Sequence, residues 1–410
     1  MSEHVTESAA ERLASDNIRI DAEASQLSNI AYGVGAAGLL GAIGMGTSNL
    51  YGFFQAYVTA FMFTLAIALG LLWFVCIQHL TNARWSVVVR RVAEIMTAGI
   101  LPVALLALGI VVPMLLGGED ISKLYLWLND HEVHANHLLH HKAPYLNKTF
   151  FLVRCVIYFG VWAALSHFFF KTSVAQDDSG KPELTQKMQS MSAPGMILFA
   201  LTLTFCAFDF LMSLDPTWFS TIYGVYYFAG CVLSGYSMLA LALMWLQSKG
   251  RIKSVTQEHF HDLGKILFGF TVFWSYIAFS QFMLIWYGDV PEETHWYHAR
   301  FTGGWKVVSA ALLVCHFAIP FLGLMSRHVK RSKKALAFWA VWILAVEYLD
   351  LFWLVHPDGS PEVPFTPMHI LAVIGMLGVF VGFVARKARG YNLVPTNDPK
   401  LGDSLAFENL

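Results

Sequence analysis

Ten stretches of this chain are each apolar over about 20 residues, the length a helix needs to cross a bilayer. They lie near 27–46, 51–79, 92–116, 150–170, 194–214, 220–246, 262–287, 303–325, 335–355 and 365–386. In lipid every backbone N–H and C=O must find its partner inside the protein, which leaves helices or a closed barrel. Continuous apolar runs of this length, without alternation, select helices. Composition agrees, with 56% hydrophobic and 13% charged residues in a chain of 410. An ordinary soluble domain carries about 25% charge. The predicted fold is an all-α integral membrane protein of about ten transmembrane helices. Pro102, Pro113 and Pro320 fall inside runs and are expected to kink them. Gly33, Gly38, Gly41 and Gly44 in the first run suit close contact with another helix.

Ten crossings return both ends of the chain to one side. All of the 27 Lys and Arg residues fall on that side except Lys123, Lys142, Lys148, Arg154, Arg300 and Lys306. The positive-inside rule then assigns both termini to the cytoplasm. The polar, acidic first 26 residues resemble neither a cleavable signal nor a transit peptide, so the N-terminus is expected to stay there. The longest loops, 117–149 and 288–302, lie on the far side and carry Trp, Tyr and His, a surface with room for a partner protein. A net charge of −1 argues against nucleic acid. Cys76, Cys155, Cys206, Cys231 and Cys315 stand alone, with no CxxC or CxxCH. The chain itself is therefore expected to carry no iron–sulfur cluster, covalent haem or metal.

Asp209-Phe-Leu-Met-Ser-Leu-Asp-Pro216 and Asp350-Leu-Phe-Trp-Leu-Val-His-Pro357 each place an Asp seven residues before a Pro at the far end of a run. Together with the span count, this suggests an internal repeat. The expected organisation is a polar tail (1–26), a flanking helix (27–50), a first four-helix bundle (51–216), a second (217–357), a last flanking helix (358–386) and a second tail (387–410).

Ionisable side chains within a span are costly in lipid and are functional candidates by default. At 1.5 Å rise per residue, His79, Glu94 and His167 fall near the terminal side of their spans. His316 and Glu347 fall near mid-bilayer, and Asp209 and Asp350 nearer the far side. Glu347 and Asp350 are three residues apart and share a helix face. Two carboxylates so close in low dielectric cannot both ionise cheaply, which suits a proton relay; the plainer reading is a structural hydrogen bond between helices. For His79 and Glu94 the plainer reading is a polar group reaching interfacial water, and for Asp215, before Pro216, a turn or cap. His131, His134, His137, His140 and His141 crowd one far-side loop. Without cysteine or a closing ligand set they read as a solvated or partner-facing loop rather than a zinc site. A quinone headgroup would need an apolar slot with a few polar groups at one end, and His141, Arg154, Asp209 and Asp215 lie toward one such place.

Four long stretches resemble the membrane subunits of alternative complex III: FMFTLAIALGLLWFVCIQHLTNARWSVVVRRVAE (61–94), HKAPYLNKTFFLVR (141–154), FDFLMSLDPTWFSTIYGVYYFAG (208–230) and LGKILFGFTVFWSYIAFSQFMLIWYGDVPEET (263–294). These subunits are of the NrfD-like, polysulfide-reductase type, and the chain is similar to the smaller of two related ones. The resemblance implies a quinol:cytochrome c oxidoreductase in the bacterial inner membrane, with two four-helix bundles and flanking helices. It implies as partners the larger NrfD-like subunit, an iron–sulfur protein, a multihaem cytochrome c and small membrane subunits. Quinone binding and proton translocation are also implied, with His79, Glu94, His167 and Asp209 as a proton path in the first bundle and His316, Glu347 and Asp350 in the second. Whether the chain is itself catalytic stays open, because the haem c and the clusters would sit in partners. A secondary transporter and an architectural anchor are the competing expectations. Direct haem b ligation is rejected, because the span histidines are single and His356 and His369 are separated by a loop holding Pro357, Pro361, Pro364 and Pro367.

Overall fold

The computed structural model describes residues 16–357 and 359–409. Residues 1–15 of the N-terminal tail lie outside that description. Among the described residues there is no strand, and ten helices are long and apolar enough to cross a membrane. In chain order we number them span 1 (Ala22–Gly46), span 2 (Leu50–Leu80), span 3 (Val87–Leu116), span 4 (Lys148–Ser179), span 5 (Pro182–Leu214), span 6 (Tyr223–Ser248), span 7 (Gln257–Gly288), span 8 (Trp305–Met325), span 9 (Lys333–Val355) and span 10 (Pro367–Ala388). The chain is an all-α, multi-pass membrane protein.

Several helices outrun their apolar runs. Span 5 starts at Pro182, a dozen residues ahead of the apolar stretch, and span 4 continues to Ser179. Helix formation needs only backbone pairing, whereas the apolar run marks the part lipid requires. Caps fix the ends: Asn49, Asn147 and Ser332 accept from Gly52, Phe150 and Ala335 backbone N–H groups, and Gly180 closes span 4 in the left-handed region.

Spans 2, 3, 4 and 5 pack around one another, as do spans 6, 7, 8 and 9, and span 2 lies against span 6 between the two groups. That contact is backbone on backbone. A Cβ on Gly70 would fall 1.8 Å from the Cys231 carbonyl oxygen, so only glycine permits it. Spans 1 and 10 pair with each other. A Cβ on Gly38 would meet the Gly375 nitrogen at 2.7 Å. The close face of span 1 runs through Gly35 and Gly38, with Gly41 against the Leu371 side chain, while Gly33 and Gly44 touch nothing. The expected small-residue contact exists, rotated from the set chosen by spacing.

Irregularities accompany two of the three prolines expected to kink their spans, while Pro113 lies inside the unbroken helical stretch Leu108–Leu116. Span 3 is interrupted at Ala98–Gly99 and Ala107 near Pro102. In span 8, Leu312–Ala318 winds as a π-helix just before Pro320. Proline has no N–H to return to the preceding turn. One carbonyl of that turn, Cys315, is taken instead by the Trp342 indole of span 9 at 2.8 Å.

Candidate functional site

Three buried polar groups sit between the spans. The first is at the terminal end. Arg90 and Arg91 open span 3, and Glu94 follows one turn later, on the same side at i+4 and i+3. Arg90 Nε donates to Glu94 Oε1 at 3.2 Å, and Arg91 Nε to Oε2 at 3.1 Å. Arg90 Nη2 reaches Asp398 Oδ2 at 2.5 Å, and Arg91 forks onto Asp177 of span 4 at 2.7 and 3.1 Å. His79 Nε2 lies 3.9 Å from Glu94 and its ring stacks on Phe169. Two guanidinium groups thus face three carboxylates, with the His79 imidazole alongside Glu94. Glu94 and His79 are sealed from solvent, which corrects the expectation that they reach interfacial water. The C-terminal segment joins the same cluster, its Asp398 folding back onto Arg90. His167 does not join this group. It is exposed on the outer side of span 4 while Ser166 and Phe169 beside it are buried.

The second group is at the far end of the first bundle. Arg154 of span 4 clamps Asp209 of span 5 with two bonds, Nε to Oδ2 at 2.7 Å and Nη2 to Oδ1 at 2.9 Å. Tyr158 donates to the same carboxylate at 2.6 Å, and the guanidinium lies over the Tyr145 and Phe150 rings. Both oxygens of Asp209 are engaged, so this is a closed ion pair. The four residues proposed for a quinone head do not converge. Asp215 instead caps its own turn through Thr217 and meets His295 Nε2 at 2.9 Å, on the wall of a separate far-side cavity of about 650 Å³. His141 is exposed. Its neighbour Lys142 donates to the Pro216 carbonyl at 2.7 Å, and burial lowers the pKa of that ammonium.

Asp209→Asn is therefore expected to act on stability before activity. It strands the Arg154 charge in a buried site, at a cost of about 3 kcal/mol. Thermal unfolding of the purified chain should show the loss, and Arg154→Met added to it should restore much of it. A single Asn variant that melts like the parent would contradict the closed-pair reading.

The third group lies deepest. His316 stands in the π-helical turn of span 8, and Glu347 and Asp350 share the facing side of span 9; all three are about 1% exposed. Their ligand-capable atoms lie within 4.8 Å of one another, the only such metal-capable set of three among the described residues. His316 Nε2 is 3.4 Å from Glu347 Oε2. Asp350 accepts from Tyr226 of span 6 at 2.5 Å and from the Trp274 indole of span 7 at 3.3 Å. The His316 ring lies 3.7 Å from that of Trp274. Glu347 rests on the backbone of span 6, where a Cβ on Gly230 would fall 1.9 Å from Oε1. Both His316 nitrogens and Glu347 Oε2 are buried without a hydrogen-bond partner. Unpaired polar atoms at such depth call for a transferable proton, a water or an ion. π-Helical turns are frequent at functional sites because they re-aim a side chain off the regular helix.

The two repeated Asp residues have parallel settings. Asp209 is met by Arg154 from span 4, and Asp350 is neighboured by His316 from span 8, in each case the span before. Sequence spacing found the Glu347–Asp350 face. It missed Arg90, Arg91, Asp177 and Asp398, although Arg-Arg-x-x-Glu at the start of a span is a readable signal for the first two. His356 and His369, apart in sequence, are in contact, with Nε2 atoms 2.8 Å apart. The two rings share one hydrogen bond, so the loop between them does not hold them apart. The five far-side loop histidines are all exposed. Searched against known families and curated proteins, the sequence matches none.

Proposed function

We propose that this chain is a proton-handling membrane subunit of a quinol:cytochrome c oxidoreductase of the alternative complex III type. The observation that carries the proton half of this reading is the His316–Glu347–Asp350 group, buried between spans with unpaired atoms on His316 and Glu347. A carboxylate and an imidazole 3.4 Å apart can exchange a proton directly or through one water. Tyr226 and Trp274 hold Asp350 in place beside them. The respiratory half is supported by the long sequence resemblance. In this reading the termini face the bacterial cytoplasm. The larger NrfD-like subunit and small membrane subunits are lateral neighbours, and the iron–sulfur protein and multihaem cytochrome c dock on the far side. Haem c and the clusters stay in those partners, and quinol oxidation belongs to the assembly.

Purification from native membranes in mild detergent tests the assembly: c-type haem and iron–sulfur protein should co-purify. A chain that emerges alone and colourless, under conditions preserving other respiratory complexes, points to a secondary transporter instead. Glu347→Gln tests the proton role. In proteoliposomes, proton release coupled to quinol oxidation should fall at least about tenfold, with the complex still assembled. Unchanged coupling would remove Glu347 from the path.

A further inference from the structure

The terminal ends of spans 1, 3, 6 and 10 enclose a half-open cavity of about 270 Å³ that no part of the proposed proton path uses. Every residue lining it is apolar, among them Leu27, Ile95, Ala242, Trp245 and Ala385. It cannot be filled by water without loss, since water there would find no polar partner. Lipid chains are the apolar molecules at hand around a multi-pass membrane protein, and the cavity sits at the depth of one leaflet, next to where the spans end.

The mouth selects the headgroup. The face of span 6 that lines the cavity runs through Met238, Ala242 and Trp245, and its next position, one turn on, is Lys249. Lys249 is exposed, as are Arg386 and Arg389 at the end of span 10, and none of the three lies within salt-bridge distance of an acid among the described residues, although the Glu23 carboxylate is near enough to feel the Lys249 charge. The acids nearby are already engaged: Glu23 with Arg251, Asp21 with the Gly390 N–H, and Asp16 with the N–H groups of Lys253 and Ser254. We infer that this cavity binds one acyl chain of an anionic phospholipid, with its phosphate at Lys249. Residues 1–15 are a poor alternative occupant, since their sequence, MSEHVTESAAERLAS, offers no apolar run to fill the space.

The test uses the full chain and does not depend on the respiratory reading. Native mass spectrometry would count phosphatidylglycerol and phosphatidylcholine retained per chain. Phospholipids with brominated acyl chains would quench Trp245, read as the quenching that Trp245→Phe removes. The expected result is one retained phosphatidylglycerol, preferred over phosphatidylcholine, and quenched Trp245. Lys249→Gln should weaken retention roughly fivefold, the worth of about one charge at a membrane surface. Ala242→Phe should abolish both signals by filling the cavity. Lys249→Gln, at an exposed position, keeps the test decisive if the Phe variant fails to fold. Unquenched Trp245, or quenching that appears only after residues 2–15 are deleted, would overturn the site. Equal retention of the two lipids, unaffected by Lys249→Gln, would overturn the headgroup assignment.

Discussion

Arg91→Ala is expected to lower the stability of the folded chain by about 5 kcal/mol, the upper part of the range for breaking a buried ion pair. Arg91 is fully buried and bonds both oxygens of Asp177, Oε2 of Glu94 and the Ser173 carbonyl. Without it, Asp177 loses its cation and Glu94 keeps only Arg90, in a region where three carboxylates already face two guanidinium groups. A stranded buried carboxylate costs more than the pair contributed, because its desolvation is no longer offset. Arg91→Lys should recover only part of the loss, since one ammonium cannot fork onto Asp177 while also reaching Glu94. The measurement is thermal unfolding in detergent together with yield of folded protein from membranes. An alanine variant with the parent's melting temperature would show that the cluster is hydrated and weak.

Gly70→Ala should be nearly as damaging for a steric reason. The added methyl would lie 1.8 Å from the Cys231 carbonyl oxygen and 2.7 Å from its carbon, both backbone atoms that no rotamer change can move. The contact is tight from the other side too, where a Cβ on Gly235 would fall 2.5 Å from the Gly70 carbonyl carbon. Spans 2 and 6 must separate, and they are the contact between the two bundles. The expected cost is about 3 kcal/mol or more. Gly269→Ala is the control: nothing lies within 4 Å of that position, and alanine favours helix by up to about 1 kcal/mol. The two substitutions should therefore shift the melting temperature in opposite directions. Equal behaviour would mean that the bundles do not meet at Gly70.

The spans were legible because lipid imposes a length and an apolarity that a sequence displays directly. The pairing of Glu347 with Asp350 was legible because three residues return a helix to nearly the same face. Rotation about each helix axis was not. In a soluble helix the apolar stripe marks the buried face, but in a bilayer the face toward lipid and the face toward protein are both apolar. His167 shows the consequence: its depth placed it beside His79 and Glu94, and its rotation turns it outward. Gly33 and Gly38 show the same ambiguity, five residues apart on span 1, with one open and one pressed against span 10. The closure of Asp209 by Arg154 was half legible, since both were expected near the far side, but not that both carboxylate oxygens would be consumed.

The sequence by itself determined that this protein is built of about ten membrane helices, because crossing length and backbone pairing in lipid are local requirements. Only the tertiary structure decided which ionisable groups are closed and which are left with unpaired atoms. Asp398 reaches Arg90 across 308 positions of sequence, and His316 reaches Glu347 through a turn wound off the regular helix. Such meetings depend on where separate helices lie against one another, and that is set by backbone contacts at positions such as Gly70 and Gly38 rather than by any pattern along a single span.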